Sequence, residues 1–168
     1  KGDKAFLVAF DLRPQMVQRW TSSLMDLQSG LAKLRTQEST ALYDAIVYSL
    51  YNFSGTKGQK ALVVITDGVD TGSHLKAPEV SGIASSIDVP VYLLTVVNPL
   101  DHPGGEYSVV EAAGDKASTV TLADLARWTG GDMRICSMPE HTAVAVDDLF
   151  NELRYQYLIT FEPGPTPG

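Results

Sequence analysis

The sequence predicts an α/β fold: a Rossmann-like three-layer sandwich with a mostly parallel sheet and helices on both faces. Three observations point there. Ala61 to Ile65 (Ala-Leu-Val-Val-Ile) is a short, bounded, β-branched apolar run, the pattern of a strand buried on both faces. From Lys60 onward such runs alternate with amphipathic helical patterns, which implies right-handed βαβ units and a parallel sheet. The central run ends in Thr66-Asp67-Gly68. An acid there sits where open α/β sheets bind ligands, beyond the carboxyl ends of the strands. A plain turn-forming Asp before Gly is the competing reading.

The elements follow in order. Ala5 to Phe10 reads as a strand, broken by Asp11-Leu-Arg-Pro14, and Gln15 to Thr21 reads as a short edge strand. Ser23 and Asp26 form a capping-box-like start for a first helix. Leu24, Leu27, Leu31 and Leu34 share one of its faces, and Gly30 weakens the helix without ending it. After the polar stretch Thr36–Thr40, Thr40 opens a second helix, Ala41 to Phe53, with Leu42, Ala45, Ile46, Leu50 and Phe53 inward. The central strand from Lys60 follows. Pro78 suits the first turn of a third helix carrying Val80, Ile83, Ala84 and Ile87. Val91 to Val97 is another strand.

Residues 98–120 form the longest irregular stretch, expected to hang over the same edge as Asp67. Thr121 and Asp124 cap a helix over Leu122–Trp128, stopped by Gly130-Gly131. Met133 to Ser137 is a short strand. A fifth helix runs from Ala143 to Tyr155, with Leu149, Phe150 and Leu153 inward. Tyr157 to Phe161 is a last strand. The expected organisation is one domain over residues 1–162 and a Pro/Gly-rich linker over 163–168. A chain of 168 residues can bury one substantial core.

Composition excludes several function classes. Hydrophobic residues make up 44% and charged residues 20%, a folded and not a disordered composition. A net charge of −7 argues against a nucleic-acid surface. No apolar run is long enough to be a transmembrane segment. Cys136 is the single cysteine, which excludes an internal disulfide and a Cys-based zinc site, and it is expected to be an inert core thiol. The chain enters a strand-like run almost at once after Lys1, without an initiator Met, as a processed piece would.

No Gly-x-Gly-x-x-Gly follows a strand, Ser54–Lys60 lacks the phosphate-loop pattern, and no Gly-x-Ser-x-Gly elbow exists. The histidines, His74, His102 and His141, lack His-x-x-x-His spacing and read as solvated loop residues. Tyr155, Tyr157 and Trp128 read as packing residues. Val63–Thr71 superficially resembles the strand end of haloacid dehalogenases. There the two acids are two residues apart; here Asp67 and Asp70 are three apart. An Mg²⁺-dependent, aspartate-based, phosphatase-like enzyme is therefore the alternative reading. What remains is Thr40 and Asp67: a hydroxyl and a carboxylate, hard donors suited to Mg²⁺, Mn²⁺ or Ca²⁺ with water in the other positions. An open position would admit a partner's carboxylate. The bland counterpart is a helix N-cap and a turn residue.

In combination, six segments resemble the von Willebrand factor type A (VWA) domain, in its bacterial subgroup from extracytoplasmic proteins. Phe6-Leu-Val-Ala-Phe10-Asp11 resembles the family's second strand. Ser39-Thr40-Ala-Leu-Tyr-Asp44-Ala-Ile resembles its Gly-Thr-x-Leu-x-Asp-Ala loop and helix. Lys60 to Gly68 resembles its fourth strand and Val89-Pro-Val-Tyr-Leu its fifth. Leu122 to Gly131 resembles the helix ending in Thr-Gly-Gly, and Leu153 to Phe161 the terminal Leu-Arg-x-Gln-Tyr strand. The resemblance implies a non-enzymatic adhesion or protein-interaction module. Thr40 and Asp67 would be the second and third parts of a metal-ion-dependent adhesion site (MIDAS); as weaker assignments, Asp44 would support the loop from behind those donors, and Asp70 and His74 would lie nearby on the rim. It also implies a protein ligand bound through an acidic side chain, and an extracytoplasmic location.

The family's first motif, Asp-x-Ser-x-Ser at the end of its first and central strand, is absent from residues 1–168, so the expected domain is incomplete at its N-terminus: the first strand and helix were removed, lie outside this chain, or are lacking from the domain; Asp70-Thr-Gly-Ser-His74 follows a different strand. The expected consequences are weak or absent metal binding, an open slot in the sheet, and self-association through open strand edges. A structural VWA domain with a degenerate metal site is a third reading.

Overall fold

The computed structural model describes residues 2–35, 39–67, 70–97, 122–137 and 139–155. Among the described residues ten elements follow one another. They are β1 (Ala5–Phe10), β2 (Pro14–Thr21), α1 (Leu24–Leu31), α2 (Leu42–Tyr51) and β3 (Leu62–Thr66). Then come α3 (Ala77–Ile87), β4 (Val91–Val96), α4 (Leu122–Trp128), β5 (Met133–Cys136) and α5 (Pro139–Arg154).

β3, β4 and β5 form a parallel sheet in that order, with Leu62 opposite Val91 and Leu93 opposite Met133. β1 and β2 form a separate antiparallel hairpin with register shifts near Leu7. Alternation along the strands assigns the layers. Leu62, Val64, Val91 and Leu93 join residues of α2, α3 and α4 in one buried core. Tyr92 and Arg134 belong to the opposite layer: the Tyr92 hydroxyl lies 3.4 Å from Glu152 of α5, and Arg134 reaches Glu152 at 3.0 Å. α1 covers the hairpin, where Gly30, its buried residue, sits against Leu7 and Gln18.

β1 runs parallel to β3. The Phe6 ring packs edge-to-face on Phe53, 5.2 Å away, just beyond the end of α2. At the other end the Ala41 amide donates to the Asp11 carbonyl at 2.7 Å, beside the start of α2. α2 itself starts near the carboxyl end of β3, because the Leu42 amide is held by Asp70. Between β1 and β3 lies a cavity of about 830 Å³, walled by both strands and by side chains of α2.

Most expected elements form, with four corrections. Residues 61–65 are not buried on both faces: Ile65 is 59% exposed, because among the described residues no element covers it on the face opposite α2. α1 stops at Leu31, and Leu24, Leu31 and Leu34 are exposed; close approach of Gly30 to the hairpin turns the buried stripe away from them. α5 begins at Pro139, earlier than expected, and Phe150 is 52% exposed while Leu149 is buried. Trp128 and Tyr155 are exposed and do not serve as packing residues. Cys136 is buried as expected. The 98–120 stretch, the 157–161 strand and the 163–168 linker lie outside the described residues.

The end of α4 shows why Gly130 and Gly131 follow it. Gly130 has φ +82°, a left-handed turn that glycine adopts without strain. Gly131 passes so close to β4 that a Cβ there would lie 2.1 Å from the Val91 carbonyl oxygen. The Thr129 hydroxyl donates to the Ala126 carbonyl and accepts from the Val91 amide, which fixes the approach. Gly131→Ala should therefore cost more than about 3 kcal/mol in unfolding free energy, since backbone and not a flexible side chain must move. Urea denaturation followed by circular dichroism measures it.

Candidate functional site

The candidate site lies where the carboxyl end of β3 meets the start of α2. α2 has no N-cap side chain of its own: Ala41 holds the cap position. Its orphan amides are satisfied from the segment after β3, a need common to every helix start. Asp70 Oδ1 accepts from the Leu42 amide at 2.8 Å and from the Ser73 hydroxyl at 2.6 Å. The Ser73 hydroxyl oxygen in turn accepts from the Asp44 amide at 3.1 Å. Thr40 therefore does not cap α2 through its side chain. Its amide donates to the Thr71 hydroxyl, and its carbonyl accepts from the Thr71 and Gly72 amides at 2.9 and 3.1 Å. Gly72 belongs there because a Cβ would lie 2.8 Å from the Ser39 hydroxyl oxygen.

Asp44, on the first turn of α2, reaches in the other direction. Its carboxylate accepts from the His74 amide, the Leu75 amide and the His74 ring nitrogen at 2.9–3.1 Å. Partial burial raises its pKa, but the hydrogen bonds from His74 and Leu75 and the charge of His74 outweigh that. The net shift is below the ordinary aspartate value. The anionic carboxylate also lies near the helix N-terminus, where negative charge is favoured.

The structure thus separates the candidates. Asp44 and Asp70 spend their oxygens on holding residues 70–75 against α2. Thr40 and Asp67 both line the rim of the cavity between β1 and β3, and Asp67 is exposed. His74 is exposed and bound to Asp44. His141 lies near Ser137, after β5, and His102 is outside the described residues. Among the described residues no group of three or more His, Cys, Asp or Glu side chains is placed to hold a metal ion. A cation at the rim would therefore rest on hydroxyl, carboxylate and water oxygens. Asp11, Thr71 and Ser73 carry the rim's geometry and were not singled out from sequence. The signal available was the run Asp-Thr-Gly-Ser, whose short polar side chains bond neighbouring backbone.

No family model matches the sequence, and no curated protein matches it. Solved structures do. The protein BatB from Bacteroides thetaiotaomicron superposes with a TM-score of 0.64 at 17% identity, covering 93% of this chain and 82% of that one. An aerotolerance-related membrane protein from Bacteroides fragilis, with multiple mutations to serines, gives 0.63 at 18% identity, covering 93% and 81%. The SpRpn10 VWA domain gives 0.55 at 11% identity, covering 86% and 71%.

Two outcomes follow from the geometry. Asp70→Ala removes the acceptor for Leu42 and Ser73, and should lower stability by about 1–2 kcal/mol, the size of a lost helix cap, read as a shift in urea midpoint. Asp44 has a lowered folded pKa, so its contribution is complete above the ordinary aspartate value of 3.8 and is lost as pH falls through the folded value. The stability difference between the native chain and Asp44→Asn should therefore be constant near neutrality and shrink on acidification in that window, in unfolding titrations across pH.

Proposed function

The chain has a von Willebrand factor A-like fold, and from that premise we propose that it is a non-enzymatic protein-interaction module that works at the rim above β3. The carrying observation is that Thr40 and Asp67, a hydroxyl and an exposed carboxylate, line the same cavity mouth. Both are hard oxygen donors, so the ion they suit is Mg²⁺, Mn²⁺ or Ca²⁺, with water in the remaining positions. An acidic side chain of a protein partner replaces one of those waters and completes the shell.

Asp44 and Asp70 act one step back. Their hydrogen bonds to His74, Leu75, Leu42 and Ser73 fix the loop and the helix start that present Thr40. The module works on the extracytoplasmic side, and the name of the Bacteroides fragilis relative, a membrane protein, is consistent with that setting. Among the described residues no helix is long and apolar enough to cross a membrane.

Two protein donors hold Mg²⁺ poorly, because this ion keeps its water unless octahedral geometry is supplied. Calorimetric titration of the chain with Mg²⁺ or Mn²⁺ should show affinity weaker than about 1 mM, near −4 kcal/mol, abolished in Asp67→Ala. Low-micromolar affinity, or weak affinity unchanged in Asp67→Ala, would overturn the assignment of the site. Hydrolysis of a generic phosphate ester with Mg²⁺, lost in Asp67→Ala, would instead establish the phosphatase-like alternative.

A further inference from the structure

The rim occupies one end of the sheet, the carboxyl end of β3. At the opposite end β2, α2 and α4 finish beside the starts of the strands. Trp20, the penultimate residue of β2, packs its ring on Phe6 at 4.6 Å and on Phe53 at 5.4 Å, and Phe53 follows the end of α2 at Tyr51. The Leu62 amide donates to the Pro90 carbonyl at 2.9 Å, just after α3. The Val91 amide donates to the Thr129 hydroxyl at 2.9 Å, and Thr129 follows Trp128, the last residue of α4. These contacts bring the ends of β2, α2 and α4 to the amino end of the strands.

That end is both aromatic and basic. Trp20, Tyr51 and Trp128 are 38%, 62% and 57% exposed. Trp20 and Trp128 are the two tryptophans of the chain. Lys4, Arg19, Lys57 and Arg127 are exposed and Lys60 is half-buried. Among the described residues none of these five is in an ion pair. The acids of the same segments are Asp3, Asp88 and Asp132, and Asp132 lies 3.7 Å from the Arg134 guanidinium. The end is thus positive in a chain whose net charge is −7.

Trp and Tyr combine an apolar ring with a polar tip, which suits a boundary that is apolar on one side and wet on the other. At a bilayer they sit at headgroup depth. Lys and Arg lay their apolar stems along such a boundary and put their charges among lipid phosphates. We propose that this end of the molecule docks on an anionic lipid bilayer. Trp20, Tyr51 and Trp128 enter the headgroup layer, and the five basic side chains meet the phosphates. The chain lies on the bilayer and does not cross it. Docked this way, the rim above β3 faces away from the lipid, where a protein partner can reach it. The contact is at the other end from the rim and needs no cation there.

The test titrates the 168-residue chain with vesicles of phosphatidylcholine alone and with about 30% phosphatidylglycerol, in chelator and at low salt. Binding is read by co-sedimentation and by tryptophan emission, which reports on this end alone because both tryptophans lie there. The anionic vesicles should bind at least about tenfold more tightly than the neutral ones and shift the emission to the blue. Raising salt to about 1 M, where the Debye length is about 3 Å, should weaken that binding about tenfold. The double variant Lys57→Glu/Arg127→Glu, at exposed positions, should lose about tenfold in affinity with an unchanged circular dichroism spectrum. Arg13→Glu/Lys33→Glu makes the same charge change at the rim end and should leave binding as it is.

Equal binding to neutral and anionic vesicles, or no binding to either, would overturn the proposal. So would equal losses in the two double variants, since net charge and not this surface would then govern the contact. Sedimentation without a change in tryptophan emission would place the lipid on another face and overturn it as well. A blue shift with polyglutamate but not with vesicles would assign this end to an acidic protein instead. None of these results bears on the rim site, because the chelator keeps divalent metal out of the experiment.

Discussion

The contact on which this structure depends is the clamp between the start of α2 and the segment after β3. A helix begins with amides that have no partner inside it. Here they are supplied from residues 70–75 and not from the residue before the helix. Asp70 takes the Leu42 amide, Ser73 takes the Asp44 amide, and Asp44 returns the bond to His74 and Leu75. The Thr40 carbonyl closes the set with two amides from Thr71 and Gly72. Asp11 ties the end of β1 to the same helix start. One knot of short polar side chains therefore sets where α2, β1 and the end of β3 stand relative to one another.

Two features follow from that knot. Thr40 and Asp67 stand at the edge of that knot, both among the residues that line the cavity. β1 is anchored through the Asp11 carbonyl at the rim and through Phe6, Trp20 and Phe53 at the far end. Those three rings pack edge-to-face with centroids 4.6–5.4 Å apart.

Local pattern was enough for many elements. The apolar runs at β1, β3 and β4 and the inward stripe of α2 were legible because each is repeated over several residues with one period. Pro78 and Gly130-Gly131 were legible because each imposes a backbone constraint that does not depend on neighbours. The site was legible in part. Asp67 stood out by its place after a buried strand, and Thr40 by its place before a helix. The role of Asp44 in supporting the loop came only through the family resemblance, and that of Asp70 was not legible, since a carboxylate that holds a loop and one that holds an ion have the same sequence appearance.

The sequence by itself determined the class of fold, the parallel pairing and the position of the acid at a strand end. These depend on hydrophobic period and on short-range steric rules carried by each segment alone. Only the tertiary structure decided that α2 is capped from 28 residues away and that Leu31, Leu34, Ile65 and Phe150 stay exposed. Those outcomes are set by which distant surface meets which, a property of the packed chain that no window of sequence contains.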